Sequence, residues 1–150
     1  MKKNILSFVF CLVMSPAFAG DDAELGISHA WVRASLPGQT VTSGFVTLSN
    51  PLDKPLELKE VRSKVAKTVE LHSHKMANGQ MQMRKIEHFS IPAKGEVKFS
   101  PGGNHIMLMG LEKPLKENDT VTVEMCFDEL CSLIKMPVVS IMHEGVYKDQ

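Results

Sequence analysis

The stretch His105-Ile106-Met107-Leu108-Met109 decides the fold, because its side chains alternate in kind. Successive side chains of an extended chain point to opposite faces and residues two apart share one. Ile106 and Leu108 are therefore expected in a core, which leaves His105, Met107 and Met109 together on the other face. Met81-Gln82-Met83 repeats the pattern with two thioethers opposite a polar Gln. In Val69-Glu70-Leu71-His72-Ser73-His74 the apolar pair and the two His again fall on different faces. Sulfur and imidazole recur where a simple amphipathic strand would carry Thr, Lys or Glu.

Outward from these segments the chain keeps the same texture. Short runs rich in β-branched and apolar residues occupy positions 44–49, 56–61, 68–71, 81–86, 95–99, 106–109, 120–127 and 132–139, with Asn-Pro, Asn-Gly, Pro-Gly and Asp-containing turns between them. About eight such strands predict an all-β fold of two packed sheets. Positions 61–70 have some helical periodicity, but Val65, Val69 and the lack of a cap argue for strand there too. No repeat or linker divides the chain, so one domain over residues 20–150 is expected, with a short tail from about 141.

Composition narrows the function. The 150 residues carry 17 basic and 17 acidic side chains without basic runs, which gives no electrostatic footprint for nucleic acid. Lys2 and Lys3, the apolar stretch that follows and Ala17-Phe18-Ala19 form a secretory signal peptide over residues 1–19, too short to span a bilayer. The mature chain should begin at Gly20 in an oxidising periplasm, without stable membrane insertion, and the cleaved segment takes Cys11 with it. No Ser-His-Asp or Cys-His arrangement, nucleophile elbow or phosphate loop suggests an enzyme. An electron-transfer copper site would need a Cys thiolate followed closely by His and Met, which the sequence lacks.

Ten Met against seven Phe, one Trp and one Tyr is a lopsided set of large side chains. Thioether is a soft ligand that selects Cu(I), and imidazole is a borderline one that copper also accepts. His72, Met83, His105 and Met107 are the candidate metal ligands. Both imidazoles must be neutral to donate, so Cu(I) affinity is expected to fall as pH drops through about 6.5.

The residues also resemble a family. His72, ten residues, Met83, twenty-one residues, His105, one residue, Met107 is the spacing of the periplasmic copper chaperones called PCuAC. Flanking words are similar as well: Ala30-Trp31-Val32-Arg33, Asn78-Gly79-Gln80-Met81-Gln82-Met83-Arg84, and Pro101-Gly102-Gly103-Asn104 leading into His105. The resemblance implies a cupredoxin-like Greek-key β-sandwich binding one Cu(I) per chain through those four residues. It implies delivery to the CuA subunit of cytochrome c oxidase, directly or through a Sco-type protein. Copper buffering or resistance with the same site is the alternative. Met81 and Met109 lie beside the motif as an apolar collar or secondary thioethers, and His74 as a residue behind the ligands or in solvent.

Three features depart from the family pattern. Asn118 stands where members often carry Gly. Cys126 and Cys131 have no counterpart; a two-residue loop at 128–129 would set them opposite one another, fit for a disulfide, with buried thiols or a metal or redox role as alternatives. Met142-His143 offers one thioether and one imidazole, so an additional Cu(II) would be held there only weakly.

Overall fold

Turn residues cut the chain into ten strands in the computed structural model, which describes residues 24–128 and 130–142. The signal peptide, the start at Gly20 and His143 lie outside the described residues. The strands are β1 (Gly26–Arg33), β2 (Val41–Ser49), β3 (Leu56–Ser63), β4 (Ala66–Ala77), β5 (Gln80–Lys85), β6 (Ser90–Ile91), β7 (Glu96–Phe99), β8 (His105–Leu111), β9 (Thr120–Phe127) and β10 (Cys131–Val139). The described residues contain no helix, and positions 61–70 are strand, turn and strand.

The expected two sheets are joined into one. Hydrogen bonds run continuously through β5-β4-β8-β2-β1-β10-β9-β3-β6, with β7 on β2. The joint is β1, whose Val32 pairs with Gly44 of β2 on one side and, in parallel, with Val138 of β10 on the other. A bulge between Ser28 and Trp31, where His29 takes φ 51°, bends β1 between its two partners. The sequence does not show the joint because the bulge breaks the two-residue period of β1.

The path folds over so that both halves close on one core. Val69, Leu71, Ile106 and Leu108 come from β4 and β8, and Val121, Val123, Met125, Ile134, Met136 and Val138 from β9 and β10. Gly44 sits at the seam: a Cβ there would stand 3.3 Å from both Met136 Cε and Val32 Cγ2. Asn118 explains its own departure, since its φ of 73° is left-handed and Asn tolerates that region better than other side chains. Asn78 and Gly79, both at positive φ, make the two-residue turn that sets β5 beside β4.

Candidate metal centre

β4 lies between β5 and β8, so its register assembles the site. Toward β8, Glu70 faces Met107 and His72 faces His105. Toward β5, His72 faces Lys85, His74 faces Met83 and Met76 faces Met81. One strand further, Met107 faces Ser43 of β2. Directly paired residues share a face, so His72, His74, Met83, His105 and Met107 all lie on the face away from the core.

The strand alternation places His105 on this face, yet it is only 2% exposed. The His74 ring lies against it, with centroids 4.8 Å apart, and the His72 ring centroid is at 5.9 Å. His105 Nδ1 is 3.1 Å from the Gly103 carbonyl oxygen. A carbonyl only accepts, so Nδ1 carries the proton and Nε2 keeps its lone pair; that Nε2 is buried without a partner. His72 is arranged likewise: Nε2 donates to Glu70 Oε2 at 2.9 Å, and Nδ1 is buried and unpartnered. His74 Nδ1 is also buried and unpartnered.

Buried polar atoms nearly always have partners, so three orphan ring nitrogens on one face need an explanation. Imidazoles that bind metals characteristically donate their other nitrogen to a carboxylate or carbonyl, as His72 and His105 do. The hydrogen bond from His72, helped by Lys85 at 3.2 Å, holds the Glu70 carboxyl below the ordinary carboxylate range. Burial pushes the His105 imidazole below its usual 6.5, with the neighbouring His74 and His72 acting the same way against the Gly103 hydrogen bond. His105 is therefore neutral, and a donor, at pH 7.

The thioethers bracket the imidazoles. Met107 is half-buried and its Sδ accepts a hydrogen bond from Ser43 Oγ at 3.5 Å, while Met83 is 48% exposed at the rim. Met81 is more exposed still, and Met109 is half-buried. Glu70 and Ser43 were not singled out from sequence, and Gly103 was read only as part of the run that leads into His105. Glu70 was within reach, two residues before His72 on the same face, whereas Ser43 required the β2–β8 register and Gly103 the turn geometry.

The donors are not drawn together in advance. Among the described residues, one trio of His, Cys, Asp or Glu has donor atoms mutually within 4.8 Å, namely Glu124, Cys126 and Cys131. Its two sulfurs are joined in a disulfide, as the hairpin register led one to expect, with Cys126 opposite Cys131 on β9 and β10. The imidazoles stand wider apart and would close on an ion by side-chain rotation. His29 on β1 and His88 in the bend between β5 and β6 are both exposed.

Comparison with known proteins agrees with the fold. A Leifsonia xyli subsp. xyli protein named as a lipoprotein, Lxx21020, is 33% identical over 89% of this chain and 83% of its own. The structure is similar to a copper-bound PCuAC domain from PmoF2, with TM-score 0.65 at 23% identity over 77% of this chain and 92% of that one. It is also similar to the solution structure of the Cu(I) form of DR1885 from Deinococcus radiodurans, with TM-score 0.56 at 29% identity over 85% and 86%. The fold is thus the cupredoxin-like β fold of PCuAC domains. Residues 25–137 match the model of the LpqE-like lipoproteins, which points to an exported protein, and the chain belongs to that LpqE-like family.

Proposed function

We propose that this protein is a periplasmic Cu(I) carrier whose ligands are His72, Met83, His105 and Met107. The observation that carries the proposal is the pair of buried, unpartnered lone pairs on His72 and His105, on the same strand face as two thioethers. Two imidazoles and two thioethers make a soft, neutral set suited to Cu(I), free of thiolates that an oxidising compartment would attack. The copper-bound and Cu(I) states named for two similar structures support the choice of metal.

The arrangement suits handover more than storage. His105 is buried and tethered through Gly103, whereas Met83 stands at the exposed rim. An incoming ligand would displace Met83 first while His105 and Met107 still hold the ion, which makes transfer a stepwise exchange with no change of oxidation state. The recipient we infer is the CuA subunit of cytochrome c oxidase or a Sco-type protein. X-ray absorption of the Cu(I) form should show both sulfur and nitrogen scatterers, and a nitrogen-and-oxygen-only shell would remove the assignment. Anaerobic transfer to each purified apo-acceptor then separates delivery from buffering, since a buffer retains its copper against both.

A further inference from the structure

His74 stands outside the four-ligand spacing, yet its surroundings are those of a ligand. It is one of three residues on this face with a buried ring nitrogen that nothing satisfies. Its ring lies against His105, its β5 partner is Met83, and it shares a face with His72 two residues away. A histidine present only to pack would be better replaced by Phe or Leu, because a buried polar atom without a partner is destabilising.

We infer that His74 is a fifth donor of this centre and that His72, His74 and His105 form an all-imidazole set with which the same mouth binds Cu(II). The inference rests on the copper-carrier function proposed above and adds a second oxidation state to it. Imidazole suits Cu(II), whereas thioether favours Cu(I), so nitrogen and sulfur donors on one face sort the two states by donor choice. Ring spacing permits it. With metal–nitrogen bonds of about 2 Å, two imidazole centroids on one ion are separated by about 4.4 Å at a right angle and about 6.2 Å when opposed. The centroid separations of 4.8 Å for His74–His105 and 5.9 Å for His72–His105 fall inside that span. Rotation of the rings, without movement of the strands, then turns the nitrogens inward.

The test compares the wild-type protein with His74→Phe, which keeps a ring against His105 and removes the nitrogen. Cu(II) is added as the free ion and followed by continuous-wave and pulsed electron paramagnetic resonance; Cu(I) affinity is measured separately by chelator competition. The expected wild-type spectrum shows imidazole nitrogens, and His74→Phe lowers Cu(II) affinity at least about tenfold while Cu(I) affinity changes less than about threefold. An unchanged Cu(II) spectrum and affinity in His74→Phe places the ion elsewhere and overturns the inference. Equal loss of both oxidation states overturns it too, since His74 would then act through packing. Failure of the carrier proposal has a different signature: wild-type protein that does not bind Cu(I) at all.

Discussion

The outer faces of β4–β8 and of β3–β9 obey the same alternation and end in opposite chemical states. On β3–β9, Arg62 faces Glu124 and bonds it at 2.6 Å, and it also reaches Glu60 at 3.1 Å. Those polar groups satisfy one another and remain largely in solvent. On β4–β8 the face is drier, and His72, His74 and His105 each keep a buried nitrogen unpaired. A satisfied outer face keeps a sheet soluble; an unsatisfied one is shaped for something that completes it.

Methionine gives the largest effect with which to challenge this contrast, because it occurs both in the core and among the proposed ligands. Met136 is fully buried. Met136→Ala should cost about 2–5 kcal/mol in urea unfolding while the folded protein binds Cu(I) normally. Met107→Ala should do the reverse, with Cu(I) affinity down about a hundredfold by chelator competition and a much smaller loss of stability. If Met107→Ala unfolds the protein as readily as Met136→Ala, the thioethers on the outer face are packing and the contrast fails. Arg62→Ala, on the satisfied face, should barely move the urea midpoint and leave copper binding unchanged.

A smaller effect comes from the other end of the strand path. The Cys126–Cys131 bond closes a short loop across β9 and β10, with Phe127 N–H donating to the Leu130 carbonyl just beyond it. Reduction should lower stability by about 1–3 kcal/mol, since so short a loop restricts the unfolded chain little. Thiol counting on denatured, unreduced protein should find none free. Cu(I) affinity should be equal before and after reduction, because β9 and β10 carry none of the proposed ligands; a large change would join the two regions and sharpen the contrast into coupling.

Much of this was legible in the sequence, and what was not has a physical reason. The β4, β5 and β8 segments declared themselves by strict alternation, and that alone put the imidazoles and thioethers on one face. β1 was missed because the bulge at His29 breaks its period, and β6 because two residues carry no pattern. Burial of His105 was invisible because it depends on a ring two residues beyond the partner of His105 on the neighbouring strand. Which nitrogen of each His is free was equally hidden, since it follows from Glu70 and from the Gly103 carbonyl. The excess of Met divides between the two faces, with Met125 and Met136 filling the core and Met83 and Met107 on the outer face with the imidazoles.

The smallest effect is a pH dependence of the metal-free protein, which separates the two faces without copper. Burial holds the folded His105 imidazole below 6.5, the value it regains on unfolding. Below pH 6.5 the unfolded chain therefore binds more protons at this residue than the native one, and stability falls as pH drops through the lowered folded value. Above pH 6.5 the contribution is complete. Glu70 acts in a separate window, because its carboxyl is held below 4.5: its contribution is present above 4.5 and disappears only in stronger acid. Urea unfolding of apo-protein at pH 7.5, 6.0 and 5.0 should show a decline between the first and last that shrinks in His105→Ala and persists in Arg62→Ala. The same shift moves the onset of proton competition with Cu(I) at His105 below the ordinary imidazole range, so the share of the pH dependence that His105 carries should set in at a lower pH than the sequence alone predicts. An apo-protein equally stable at pH 7.5 and 5.0 would mean that His105 charges in place at little cost, and the dry, unsatisfied face would lose the property that distinguishes it from β3–β9.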